Sequence, residues 1–153
     1  MKIVAWRIVG QKRLDFAFTG EGPKLYGGRW NSKDHKAVYM ADSPALAALE
    51  IMVHAVDYQI LKGYYIFRVK IPEKLVTEFD ISKLPANWQE DPPPVELQQI
   101  GDNWLSEKKF AVLKVPSAVV PLEFNLIVNP EHPDIKKIIV EDPLPFYFDK
   151  RFL

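Results

Sequence analysis

Cysteine is absent from the 153 residues. That excludes disulfides, thiolate nucleophiles and cysteine-ligated zinc or iron–sulfur centres, and it suits a reducing compartment. Charge of one sign is lacking too: twenty Lys and Arg balance twenty Asp and Glu. No bulk attraction to nucleic acid or to an anionic membrane follows from such a balance. No apolar run is long enough to cross a bilayer as a helix. The opening MKIVAWRIVGQKR carries a short apolar stretch broken by Arg7, unlike a signal peptide. Histidine is scarce, at three residues, and neither His35 nor His132 stands at ligand spacing, so no metal is expected. The reading is a soluble, cytoplasmic protein with no direct nucleic-acid or membrane partner.

Apolar material is plentiful. Hydrophobic residues make up 48% of the chain and charged ones 26%, a composition suited to a globular core. A chain of this size buries roughly 70% of its extended surface. No repeat or linker divides it, so residues 1–153 are read as one domain. Thirteen prolines punctuate the sequence. They cluster only in Asp91-Pro92-Pro93-Pro94, which is expected to open a helix at Val95.

Runs of β-branched and aromatic residues predict strands over 3–9, 36–41, 63–71, 110–115, 122–128 and 137–141, with weaker candidates at 74–79 and 146–148. Gly20, Gly22, Pro23, Gly27 and Gly28 predict a loop over 20–28. Helices are expected from Pro44 to about Val56 and from Val95 to Lys108. Strands outnumber helices and do not alternate regularly with them. The fold class is therefore α+β, a single domain with mixed, mostly antiparallel sheet and a few helices.

The first helix is the informative one. Asp42-Ser43-Pro44 is a strong start signal, a capping side chain followed by proline at the first helical position. The sequence PALAALEIMVHAV then holds only two polar side chains, Glu50 and His54. Four residues apart, they share a face, about 40° apart around the axis. An all-apolar helix is normally buried, and a carboxylate there is costly unless it meets partners or a wet cleft. Either Glu50 forms a structural ion pair, or this stripe lines a working pocket; ionisable groups in clefts favour the second. His54 alone reads as a hydrogen-bonded core histidine.

Other candidates are individually weak. Arg29 follows Gly27-Gly28, where a backbone can approach a ligand and a guanidinium can fork onto a phosphate. A capped surface loop is the alternative. Tyr39 faces away from the core if Val38 and Met40 face it. Ser117 ends a strand without the G-x-S-x-G elbow of a hydrolase. Asn125 is a polar residue inside a strand. Asp149 and Arg151 read as an ion pair.

Taken in order, these segments resemble the RES domain. The matching pieces are Gly28-Arg29-Trp30, VYMADSPALAALEIMVH from Val38, Gly101-Asp102-Asn103-Trp104-Leu105, VPSAVVPLEFNLIVNPEHPD from Val115, and Phe148-Asp149-Lys150-Arg151. The resemblance implies an ADP-ribosyltransferase-like fold and a toxin of a bacterial toxin–antitoxin pair. It implies NAD+ as substrate rather than as a retained cofactor; family members hydrolyse or phosphorolyse NAD+, or transfer ADP-ribose to a protein. It also implies an Xre-type helix-turn-helix antitoxin that covers the site. The family's arginine, tyrosine, glutamate and serine fall on Arg29, Tyr39, Glu50 and Ser117. His54 and Asn125 match further polar positions. Leu126 departs from the pattern, where an aromatic residue is expected after Asn125. The competing reading is a non-catalytic module that binds a nucleotide or an antitoxin.

Overall fold

A computed structural model describes residues 1–55 and 62–152. Among these residues eight strands form one mixed sheet: β1 (Lys2–Gly10), β2 (Val38–Ala41), β3 (Tyr64–Pro72), β4 (Val76–Glu78), β5 (Val112–Pro116), β6 (Phe124–Val128), β7 (Ile139–Val140) and β8 (Leu144–Phe146). Their order is β4-β5-β6-β2-β1-β3-β7, with β8 also paired to β3. Among the described residues only β4 and β5 run parallel; every other pairing there is antiparallel. The mixed, mostly antiparallel α+β expectation holds. Among the described residues no helix is long and apolar enough to cross a membrane.

β1 and β3 pair along nine residues, from Lys2↔Pro72 to Gly10↔Tyr64. In contrast, β1 meets β2 at Trp6↔Ala41, and the two strands then part. The Arg7 side chain bridges the opening. Its Nε donates to the Ala17 carbonyl at 2.7 Å and its Nη1 to the Tyr39 carbonyl at 2.8 Å. Burial, with Arg13 nearby, pushes the Arg7 pKa down to about 10.

Alternation assigns the two faces. Ala5, Val9, Val38, Met40, Phe67, Val69, Val112, Leu126 and Val128 meet in one cluster on one face. The opposite face carries two separate clusters. One holds Trp30, Leu97, Trp104, Leu105, Leu113, Val115 and Ile127, with Tyr39 at its margin. The other holds Ile8, Ala41, Leu46 and Ala47. Val38 and Met40 therefore face the larger core, and Tyr39 faces the other way.

Among the described residues three α-helices accompany the sheet: α1 (Glu21–Tyr26), α2 (Pro44–Val53) and α3 (Val95–Glu107). α1 replaces the loop expected over 20–28. Gly20 and Gly27 stand at φ 78° and 75°, so the glycines bound a short helix, and Pro23 falls in its first turn, where proline is tolerated. α2 begins as expected: the Ser43 side chain accepts the Leu46 N–H at 3.0 Å and Pro44 follows. It ends at Val53; Val56, the expected limit, lies outside the described residues. Only Leu46 and Ala47 of α2 are fully buried, while Leu49 and Val53 are 40% and 59% exposed. The helix packs on one side of the sheet only, so its apolar character does not bury it all round. α3 buries Leu97, Gly101, Trp104 and Leu105 and stops at Lys108, which adopts φ 52°. Near the C-terminus Asp149 and Arg151 form the expected ion pair at 2.9 Å.

Candidate active site

Ser117 directly follows β5 and is fully buried. Its hydroxyl accepts the N–H groups of Val119 and Val120, both at 3.1 Å. A hydroxyl has two acceptor sites and one proton. With both acceptor sites taken, the proton has one direction left, and it is donated to Glu50 Oε1 at 2.9 Å. The turn after β5 thereby orients the one acid of α2. Glu50 itself is half-buried. Among the described residues no salt bridge reaches it.

Tyr39 projects from β2 on the same sheet face as Asn125. Tyr39 pairs with Ile127 and Ala41 with Asn125, and paired residues share a face. The Asn125 side chain donates to the Met40 carbonyl at 3.3 Å. The Tyr39 hydroxyl donates to Asn31 Oδ1 and accepts the Trp30 N–H at 3.1 Å. A Cβ at Gly28 would lie 2.6 Å from that hydroxyl, so only glycine permits this approach. Enclosure raises the Tyr39 pKa well above the ordinary phenol value. The Trp30 N–H opposes the rise, Asp102 adds to it, and Arg29 opposes it. The phenol proton stays in place and is committed to Asn31.

Arg29 stands between Gly28 and the buried Trp30. Trp30 is locked beneath α3, where a Cβ at Gly101 would fall 1.6 Å from the Trp30 carbonyl oxygen. α3 holds the flanking loop as well. Gln98 donates to the Gly28 carbonyl at 2.9 Å. Asp102 accepts the Ser32 N–H at 2.9 Å and the Ser32 hydroxyl at 2.5 Å. The Arg29 Nη1 donates to the Trp88 and Glu90 carbonyls at 2.9 and 2.8 Å.

Asn31 was not singled out by the sequence reading, although it is fully buried. Its amide donates to the carbonyls of Pro23, Ser32 and His35 at 2.8, 3.2 and 3.0 Å, and its Oδ1 takes the Tyr39 proton. It holds α1, the arginine loop and β2 together. Gly101 and Asp102 carried a legible signal, a glycine inside a helical pattern, which marks a close backbone approach. Asn31 carried none, because an asparagine beside Ser32 and Asp34 reads as turn chemistry.

His54 is not the core histidine expected from the sequence: it closes α2, which is buried only at Leu46 and Ala47, and it is exposed, its N–H donating to the Ile51 carbonyl at 3.3 Å. Among the described residues no group of three His, Asp or Glu is arranged to hold a metal ion. The features are an oriented carboxylate, an arginine in a pinned loop, and an aromatic ring on the sheet face at the margin of the cluster that contains Trp30. An oriented carboxylate can stabilise a developing positive charge, and a guanidinium with unspent donors can bind an anion.

Comparison with known proteins places the chain in a family. The sequence model of the RES domain matches residues 4–149. A protein named toxin Res from Yersinia enterocolitica is 38% identical over 150 residues, covering 97% of this chain and 99% of that protein. A Sphingobium protein named Prs ADP-ribosylating toxin is 33% identical, covering 97% and 95%. The fold is similar to that in the crystal structure of the M. tuberculosis MbcT–MbcA toxin–antitoxin complex. That match has a TM-score of 0.77 and 18% identity, over 96% of this chain and 85% of the other; at that identity the likeness concerns the fold. By its sequence along nearly the whole length, this chain belongs to the RES domain family.

Proposed function

We propose that this chain is the toxin of a toxin–antitoxin pair and that it breaks the nicotinamide–ribose bond of NAD+. The observation that carries the reading is the Ser117–Glu50 hydrogen bond at 2.9 Å. It fixes a carboxylate at the edge of a sheet face that also presents Tyr39 and Asn125. Full-length relatives named as toxins support the toxin assignment.

The bond between ribose C1′ and the nicotinamide nitrogen breaks with its electron pair going to the ring, which leaves as neutral nicotinamide. Positive charge develops on the ribose, as in glycoside cleavage. Glu50 stabilises that charge and holds ribose hydroxyls, and Ser117 keeps it aimed. Arg29 grips the anionic diphosphate through donors not spent on Trp88 and Glu90. The Tyr39 ring stacks on a flat portion of the ligand, and Asn125 and His54 border it. An acceptor then bonds to C1′ and releases its proton. Water gives ADP-ribose, and inorganic phosphate gives its phosphate ester.

A second reading keeps the same bond cleavage and changes the acceptor to a protein side chain. The name of the Sphingobium relative favours it. In both readings the partner is an Xre-type helix-turn-helix antitoxin that occludes the site, and the reaction draws on the cytoplasmic NAD+ pool.

Mass spectrometry of products from purified protein and NAD+, with and without phosphate, separates the chemistries. Free nicotinamide with ADP-ribose, its phosphate ester, or a protein adduct each selects one acceptor. No nicotinamide release, together with normal growth and an undiminished NAD+ pool when the chain is expressed alone in bacteria, leaves a binding module.

A further inference from the structure

The Arg29 and Ser117 sides of the site are joined by a segment that the reaction above does not use. Residues Pro85–Glu90 connect them. The carbonyls of Trp88 and Glu90 both sit on Arg29 Nη1 at 2.9 and 2.8 Å. The residue between them, Gln89, reaches the other way. Its amide donates to the Ala118 carbonyl at 3.4 Å, a long and weak bond. Ala118 follows Ser117, whose hydroxyl orients Glu50. Leu84 and Trp88 pack against the cluster that contains Trp30 and anchor the segment from below.

We propose that Pro85–Glu90 is a wall of the substrate site and that Gln89 is a positioning residue, coupling the arginine loop to the Glu50–Ser117 pair. This rests on the NAD+ reading above. Arg29 then has two tasks. One nitrogen is held by backbone carbonyls. Its Nε and Nη2 hydrogens make no hydrogen bond among the described residues. A guanidinium is planar, so fixing one nitrogen orients the remaining donors for a diphosphate. An ammonium group cannot serve both ends in this geometry. Gln89 controls how closely the wall stands to the dyad. It is exposed, so its removal loosens the wall without opening the core.

The test measures kcat and KM for nicotinamide release from NAD+, with hydrogen exchange of the amides of residues 86–90. Gln89→Ala is expected to raise KM about five-fold, the scale of one modest hydrogen bond, with kcat and the thermal midpoint nearly unchanged. Gln89→Lys, which restores a donor toward Ala118, returns KM towards the wild-type value. NAD+ added to the Glu50→Gln protein slows exchange over 86–90, and Arg29→Lys speeds it in the free protein. If the wild type turns over NAD+ but Gln89→Ala leaves KM unchanged and NAD+ leaves exchange at 86–90 unaltered, the wall is wrong and the proposed reaction stands. If the wild type releases no nicotinamide and NAD+ protects no segment, the reaction itself is wrong and the wall falls with it.

Discussion

Ser117 Oγ donates to Glu50 Oε1 at 2.9 Å across 67 residues of sequence, and the serine has no other direction in which to donate. Two N–H groups occupy its acceptor sites. The hydroxyl therefore transmits the geometry of the turn after β5 to a carboxylate on α2. Removing charge from Glu50 and removing the hydroxyl from Ser117 should have different consequences.

Glu50→Gln keeps the shape and still accepts the Ser117 proton through its amide oxygen. The fold should be retained, with a thermal midpoint close to that of the parent. Nicotinamide release from NAD+ should fall by about 10²-fold or more, the scale of losing one aimed electrostatic group. Chromatographic assay of nicotinamide checks this. Undiminished turnover in the folded variant removes Glu50 from the mechanism.

Ser117→Ala deletes one donor and strands two part-buried N–H groups. Stability should drop by about 1 kcal/mol, the scale of net hydrogen bonds lost by partly accessible groups. Turnover should fall less than in Glu50→Gln, because the carboxylate keeps its charge and loses only its aim. Urea denaturation and the same nicotinamide assay give the two numbers. A larger kinetic loss than that of Glu50→Gln contradicts a purely orienting serine.

The two local signals at α2, Ser43-Pro44 and the solitary Glu50 in an apolar run, are legible because they act within one turn of helix. The strands of the core are legible because alternation and β-branched residues are local too. α1 was hidden by its boundaries: glycine supplies both a loop and the positive φ that brackets a short helix. The parting of β1 from β2, and Arg7 filling it, depend on non-local register. The hold on Arg29 was least visible of all. Its partners are main-chain carbonyls 59 and 61 residues away, and a carbonyl leaves no mark on residue identity.

Two glycine substitutions separate close approach from flexibility. Gly101→Ala places a methyl 1.6 Å from the Trp30 carbonyl oxygen, a backbone atom. α3 and the arginine loop must separate, at about 1–3 kcal/mol or more for overpacking. Both stability and turnover should suffer, because the same loop carries Arg29. Gly22 lies in α1 with nothing near its would-be Cβ. Gly22→Ala should stabilise by about 0.5–1 kcal/mol through helix propensity. Thermal melts of the pair check both signs.

The enclosed hydroxyl of Tyr39 makes a prediction about alkaline stability. Burial raises its pKa above the ordinary 10.0, ahead of the opposing Trp30 hydrogen bond. Between that value and the folded pKa the native chain holds a proton that the unfolded chain has lost. Stability from this group is then complete below pH 10 and declines as pH rises further. Tyr39→Phe removes the effect but leaves Asn31 Oδ1 and the Trp30 N–H without their partner. The variant should be less stable than the parent at neutral pH, and the gap should narrow above pH 10. Burial of Arg7 tilts the parent's stability the opposite way in the same range, since its pKa is pushed down to about 10. That contribution is common to both proteins and cancels in their difference. Urea midpoints of the two proteins measured in parallel from pH 7 to pH 11 give the comparison. A gap that stays constant with pH shows that the phenol ionises alike in the folded and unfolded chains, and that its hydroxyl is not enclosed.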